Sequence, residues 1–436
     1  MPRVVIVGAG FAGYRAARSL RRRLGEQYET VLVNPTDYFL YLPLLPEVAG
    51  GVLDPRRLAV SLTATLPGVR LVLGSVHGID LAAGSVHYVD PEGHAGALAY
   101  DRLVLTVGSV NKVLPVPGIT GHAHGFRSIP EALYLRDHLI RQVELAAMTD
   151  DPRERAARLT FVVVGAGYTG AEVAATGQLL TRSLLRHQPA LRDTPARWLL
   201  LDRAPRVLPE LRPRLSRAAA RTLSRRGVDI RTGTSVSMAT TAGVRLTAGE
   251  FVPTRTVVWT VGVRPDPLTD ELGLAAVDGR IRVDEFLAVP GHPDVFACGD
   301  VAAVPDLTRP GRLTAMTAQH AERQGKAVAR NVAASFGHGT ARPYRHRDLG
   351  LVVDLGGWTA VAEPLGVPLT GFPAKAVTRA YHLIAMPANR FRVLLDWMAD
   401  AVTRRPAVQL GLVRSSAVPL GRAGHEAPRP PAATVR

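Results

Sequence analysis

The sequence uses one structural phrase twice: VVIVGAGFAGYRAA from Val4 to Ala17 and FVVVGAGYTGAEVAA from Phe161 to Ala175. Each is a run of β-branched and apolar residues, then G-x-G-x-x-G, then small residues at helical spacing. That order predicts strand, tight turn and helix. The first glycine permits the turn, the second lets the backbone approach a pyrophosphate, and the third lets helix and strand pack closely. Phosphates then lie at the helix N-terminus, where free N–H groups and the helix dipole favour negative charge. One such motif is weak, because glycine-rich strand–helix turns also serve packing alone. Two, each behind a strand-like run, make coincidence the poorer explanation. Gly8, Gly10 and Gly13 in the first unit and Gly165, Gly167 and Gly170 in the second are candidate dinucleotide contacts. The expected fold is α/β, with two Rossmann-like dinucleotide-binding domains and a C-terminal amphipathic helical segment.

A length of 436 residues suits two to three domains with substantial cores. The single cysteine, Cys298, excludes a disulfide framework, a redox cysteine pair and a cysteine-rich metal site. The start MPRVVIVGAG runs straight into the first glycine motif, so a core strand is expected there and not a signal peptide. No stretch approaches the roughly 18 uninterrupted apolar residues of a membrane-spanning helix.

The net charge of +16 invites a polyanionic partner, but its placement matters. From Phe372 to Arg436 there are ten Lys/Arg against three Asp/Glu. In the same segment Val377, Ala380, Tyr381 and Ile384 share one helical face, and Phe391, Leu394, Leu395, Met398 and Val402 share another, with MPAN between the two runs. Basic amphipathic helices bearing Trp397 suit an anionic membrane interface; the plainer alternative is that both stripes pack on the protein's own body. No aromatic-interleaved platform or helix-turn-helix supports nucleic-acid binding. Beyond Arg404 the chain becomes rich in Pro, Ala and Arg and is expected to be disordered.

Between the glycine motifs, YDRLVLTVGS (Tyr100 to Ser109) reads as a strand, and the Pro115 to Gly118 stretch breaks it as a crossover between domains. Ala132 to Ala147 reads as a helix and Asp151 to Arg158 as a charged connector. The expected organisation is a first domain at 1–118 and 281–371, an inserted domain at 119–280, helices at 372–404 and a tail at 405–436.

The ordered set GAGFAG, LVLTVGS, GAGYTGAEVA, VVWTVGVRP and DVFACGD resembles the flavoproteins in which an FAD domain carries an inserted NAD(P)H domain. Within that superfamily, YFLYLPLLPEVAGG, TAQHAERQG and the basic amphipathic C-terminus resemble the type II NADH:quinone oxidoreductases. The resemblance implies a single-chain enzyme on the cytoplasmic face of the membrane. It would pass electrons from NADH through non-covalent FAD to quinone without pumping protons, and a homodimer is compatible.

The same resemblance assigns roles. Asp300 matches the aspartate that holds the FAD ribityl chain, with the helix after it aimed at the pyrophosphate. Gly108, Gly262, Gly299 and Ala318 fall in the matching motifs as further cofactor contacts. Gln319 matches the glutamine beside flavin and quinone, and Glu172 the glutamate facing nicotinamide and flavin, where a carboxylate can relay protons. The plain reading of Glu172 is a first-turn residue complementing the helix dipole. Asp202, closing the strand WLLLD, would accept from ribose hydroxyls and repel a 2′-phosphate, favouring NADH over NADPH, although Arg203 and Arg206 stand beside it. Two departures stand out: Asn34 replaces the acidic residue expected in the first unit, and Arg323 replaces the second glutamine of the quinone helix, where it is expected either to narrow the acceptor site or to bring a different acceptor. His320 receives no role. A soluble reductase of ferredoxin or another redox protein and a slow nicotinamide-sensing flavoprotein remain alternatives; sulfide:quinone chemistry is excluded by the lone cysteine.

Overall fold

The computed structural model describes residues 1–346, 348–403, 405 and 408–421. The first glycine motif does form strand, turn and helix: β1 (Arg3–Val7) leads to α1 (Phe11–Leu24). Strands β2 (Glu29–Asn34), β3 (Arg70–Leu73) and β4 (Arg102–Leu105) join β1 in parallel, with Val5 opposite both Val31 and Leu103. The interior of β1 and β2 is buried on both faces, which is why these strands read as unbroken apolar runs with no alternation.

The chain then leaves this sheet. Helix α2 (Ile129–Met148) begins with a capping box in which Ser128 and Glu131 satisfy each other's backbone N–H groups. The segment read as a charged connector is itself a short helix, Pro152–Arg158, because the Asp151 side chain accepts the Arg153 N–H and caps it. The second motif gives β5 (Thr160–Val164) and α3 (Tyr168–Leu185), followed by β6 (Arg197–Asp202), β7 (Val228–Thr232) and β8 (Thr256–Trp259). These form a separate parallel sheet in the order β7-β6-β5-β8. The antiparallel pairing of Ser109–Asn111 with Val263–Pro265 marks the outward and return crossings.

On its return the chain adds β9 (Ala288–Val289) and β10 (His292–Ala297) to the first sheet, whose order is β9-β10-β4-β1-β2-β3. Helix α4 (Ala318–Ser335) follows, then an antiparallel sheet of β11 (Val352–Asp354), β12 (Ala360–Ala362) and β13 (Leu369–Gly371). The C-terminal helices α5 (Phe372–Ala385) and α6 (Arg390–Val402) are separated by the MPAN turn.

These helices show an outward apolar face. Val393 and Trp397 of α6 are buried, whereas Phe391, Leu394, Leu395, Met398 and Val402 are exposed, Val402 at 83%. Ile384 and Phe372 of α5 are exposed as well. Part of the stretch expected to be disordered is packed: the backbone N–H groups of Leu410 and Gly411 donate to Asp137, and Leu420 is buried in the core of the inserted unit. Val418 and Leu420 are buried while Val408, Leu410 and Leu412 stay exposed, so the packing rests on a few long-range contacts that composition does not reveal. The rest of that expectation, residues 406, 407 and 422–436, lies outside the described residues.

Candidate functional site

The two glycine turns are alike down to single hydrogen bonds. Gly8 has φ +94°, and a Cβ there would lie 2.6 Å from the Thr106 carbonyl oxygen; one on Gly13 would lie 1.9 Å from the Gly8 carbonyl. In the second unit Gly165 has φ +106°, and a Cβ on Gly170 would lie 1.8 Å from the Gly165 carbonyl. Thr106 Oγ1 donates to the carbonyls of Val7 and Gly8, both at 2.8 Å. Thr260 Oγ1 does the same for Val164 and Gly165, at 2.9 and 3.0 Å. Gly108 and Gly262 each close a Thr-Val-Gly turn behind these threonines, both with positive φ. Gly10 and Gly167 are the N-caps of α1 and α3 and face open space. Neither helix carries an acidic residue in its first turn, so both positive ends stay available to an anion. The cradle in each unit therefore fits a pyrophosphate.

At the end of the second strand of each unit the chemistry diverges. Asn34 Oδ1 accepts the Ala9 N–H at 2.8 Å, and its Nδ2 donates to the carbonyl and hydroxyl oxygens of Thr36 at 2.9 and 3.0 Å. Asp202 accepts twice, from the Ala166 N–H at 2.5 Å and the Ala204 N–H at 2.7 Å. Arg206 donates to the Pro209 carbonyl at 2.5 Å, and Arg203 is exposed beside it.

One cavity of about 620 Å³ draws these parts together. Gly8, Gly10, Asn34 and Gly108 line it from the first unit, Gly299, Asp300, Ala318 and Gln319 from the returning segment, and Tyr168, Thr169 and Glu172 from the head of α3. Gly13, Gly165, Gly167, Gly170, Asp202 and Gly262 do not line it.

Asp300 Oδ2 accepts the Ser109 hydroxyl at 2.6 Å, and Arg127 Nη2 donates to Ser109 Oγ and its carbonyl, each at 3.1 Å. Burial lowers the Arg127 pKa, while the Asp300 and Glu131 carboxylates favour its charge. Neither Ser109 nor Arg127 was singled out from the sequence, and Arg127 lies in a stretch without a motif. The helix that follows Asp300 is α4, and it begins only at Ala318, after a short strand, Ala302–Ala303, and a loop. Cys298, just before this turn, is fully buried, and burial alone raises its thiol pKa.

Glu172 is the fifth residue of α3, beyond the first turn, so the dipole reading does not apply. Its Oε1 accepts the Asp354 N–H from β11 at 3.0 Å. Burial pushes its carboxyl well above the ordinary range; the Asp354 N–H and the Lys375 ammonium oppose this, and the carboxylates of Asp354 and Glu47 add to it. Lys375 of α5, nearly wholly buried, bonds Asp354 and stands 3.8 Å from Glu47. Glu47 also accepts the Trp397 indole N–H, and burial raises its pKa to about 7. This buried charge cluster ties α3, β11, α5 and α6 to the cavity wall. No motif marks this cluster, since Lys375 reads in the sequence as an ordinary cation on an amphipathic helix.

Gln319 lies at the head of α4, capped by Thr317, whose hydroxyl oxygen accepts the His320 N–H at 3.3 Å. Its Nε2 donates to the Gly350 carbonyl at 2.9 Å, while Oε1 accepts the Leu349 N–H at 3.1 Å and Arg323 Nη1 at 2.7 Å. Arg323 is not among the cavity's lining residues and does not narrow it; it turns back on Gln319. His320 stacks on His346 at 3.6 Å, and both share the Tyr344 hydroxyl, a packing arrangement behind the cavity.

A family model for pyridine nucleotide-disulphide oxidoreductases matches residues 2–325. The type II NADH:quinone oxidoreductase Ndh of Mycobacterium tuberculosis is 32% identical, with 92% of this chain and 89% of that protein covered. The demethylphylloquinone reductase NdbB of Synechocystis is 30% identical, with 91% and 96% covered. Among solved structures, NDH2 from Plasmodium falciparum in complex with NADH shares the fold, with a TM-score of 0.86 over 93% of this chain and 99% of that one at 17% identity.

Proposed function

We infer the course of the reaction from the premise that the chain belongs to the type II NADH:quinone oxidoreductases of the pyridine nucleotide-disulphide oxidoreductase family. It oxidises NADH with a quinone as acceptor. NADH binds the second unit and non-covalent FAD the first. FAD held there would supply the redox chemistry, as hydride acceptor toward NADH and two-electron donor toward quinone.

The chain's own residues bind and orient. Gly8, Gly10 and Gly13 hold one pyrophosphate at the head of α1, and Gly165, Gly167 and Gly170 the other at the head of α3. Asp300, steadied by Ser109, takes the ribityl hydroxyls. Gly108, Gly299 and Ala318 bring backbone against the flavin, Gly262 against the nicotinamide nucleotide. Asp202 accepts from the ribose of NADH, which favours it over NADPH. Gln319 donates to a quinone carbonyl. Glu172, whose carboxyl burial pushes well above the ordinary range, holds a proton for the quinone oxygen.

The observation that carries the reading is the cavity of about 620 Å³ that meets both units, with Glu172 from one and Asp300 and Gln319 from the other in its walls. The outward apolar face of α6 supports a peripheral seat on the membrane. No helix among the described residues is long and apolar enough to cross one. The cytoplasmic face and electron transfer without proton pumping complete the proposal.

The test is an anaerobic spectrum in mild detergent, with NADH and then a water-soluble quinone added while the oxidised-flavin band is followed. Bleaching then recovery is expected; bleaching without recovery would move the acceptor to a redox protein. Replacing Phe391, Leu395 and Met398 together by Ser should release the protein from pelleted membranes with its flavin intact.

A further inference from the structure

We propose that Arg323 is a specificity-determining positioning residue: by saturating the Gln319 carbonyl, it leaves the amide able only to donate, and so biases the site toward quinone over its quinol product. The inference rests on the acceptor reading of Gln319 given above. A side-chain amide has two acceptor lone pairs and two donor hydrogens. Here Oε1 accepts from Arg323 Nη1 at 2.7 Å and from the Leu349 N–H at 3.1 Å. One hydrogen of Nε2 goes to the Gly350 carbonyl at 2.9 Å. The orientation is fixed by its partners, because a guanidinium and a backbone N–H only donate and a carbonyl only accepts. What remains on the amide is one N–H.

A donor suits a quinone carbonyl, which can only accept. A quinol oxygen carries a hydroxyl hydrogen, and its best partner is an acceptor, which this amide lacks. Arg323 is held for this task by a second bond from the same Nη1 to the Gln319 backbone carbonyl at 3.1 Å. Leu349 and Gly350 would hold the amide's orientation without Arg323, so its removal frees one lone pair and leaves the amide in place. The vacated lone pair can then accept from quinol.

The experiment uses flavin-loaded, full-length protein in mild detergent with a short-chain benzoquinone and its quinol. In Arg323→Met the ratio of the quinol inhibition constant to the quinone KM should fall about three- to tenfold, the worth of one added hydrogen bond. Flavin bleaching by NADH should be unchanged. Arg323→Lys, which keeps a donor, should retain most of the wild-type ratio and guards against a Met variant that folds poorly. Quinone KM and quinol inhibition weakening together in Arg323→Met, or neither changing, overturns the proposal. If Gln319→Ala alters neither constant, the acceptor reading of Gln319 falls, and this inference with it.

Discussion

The two nucleotide units place the same backbone demands on the chain and answer them with the same residues, yet they part where side chains meet ligand. Glycine for glycine and threonine for threonine, the turns of Gly8 to Gly13 and Gly165 to Gly170 match. The first unit gives its turn to one wall of the cavity, while the second contributes the head of its helix, Tyr168 to Glu172. The cradle is set by close approach of backbone to backbone and tolerates no variation; the specificity of each unit rests on what surrounds it.

The most severe test adds one methyl group to either cradle. In Gly13→Ala the new Cβ would stand 1.9 Å from the Gly8 carbonyl, and in Gly170→Ala 1.8 Å from the Gly165 carbonyl. Relief requires helix and strand to separate, at about 1–3 kcal/mol or more. Gly13→Ala should be purified without oxidised-flavin absorbance. Gly170→Ala should keep its flavin but show an NADH KM raised about tenfold or more. If both variants lose flavin, the units are not separable in the way proposed.

These glycines were legible in the sequence because each is demanded by a contact only a few residues away. The same holds for the two strands that carry them and for the C-terminal helices, whose boundaries follow the apolar spacing around MPAN. What escaped notice depends on contacts across the chain. Glu172 was found by resemblance, but its partner Asp354 lies on a small antiparallel sheet without a motif. Lys375 and Glu47 are ordinary letters until α5 folds back over the short helix Leu45–Ala49. The outward direction of the α6 stripe also had to come from the fold, since periodicity gives a face and not what it faces.

Glu172 breaks the symmetry of the units chemically. Its carboxyl pKa is raised mainly by burial, with Asp354, Glu47 and Lys375 around it. The proton is therefore held beyond the ordinary carboxylate range and lost as pH rises through the raised value. Quinone reduction should fall along that alkaline limb. Glu172→Gln should remove the limb and slow the quinone step about a hundredfold, the low end for a positioned acid; stopped-flow reoxidation from pH 5 to 9 reads both. Stability follows the same sign. The neutral form is the one the fold favours, so its contribution is complete below the ordinary carboxylate range and is lost as pH rises through the folded value. Glu172→Gln should thus raise Tm more at pH 8 than at pH 5.

Gln319→Ala probes the first unit's side of the same cavity. One hydrogen bond to the acceptor is removed, so kcat/KM for quinone should fall about three- to tenfold, while NADH bleaches the flavin at the wild-type rate. Equal loss in both half-reactions would place Gln319 on the nicotinamide side and undo its assignment.

The smallest effects should come from exchanging the residues at the two strand ends, and they test why Asn34 departs from an acidic pattern. Asn34 must accept from Ala9 and donate to Thr36 at once, and the Thr36 hydroxyl has given its own hydrogen to the Tyr38 carbonyl. A carboxylate in its place would face the Thr36 carbonyl with no hydrogen between them. Asp202 must accept from two N–H groups, so an amide in its place would turn its NH2 against one of them. Each residue is wired for its own turn, and neither is a degraded copy of the other. Asn34→Asp and Asp202→Asn should each cost about 1–3 kcal/mol through an unsatisfied polar contact, seen as a lowered Tm. Flavin content should hold in both. Asp202→Asn alone should also narrow the preference for NADH over NADPH, by roughly three- to tenfold, since removal of the charge weakens the repulsion of a 2′-phosphate. An Asn34→Asp variant as stable as the wild type would show that the Thr36 contacts do not select asparagine.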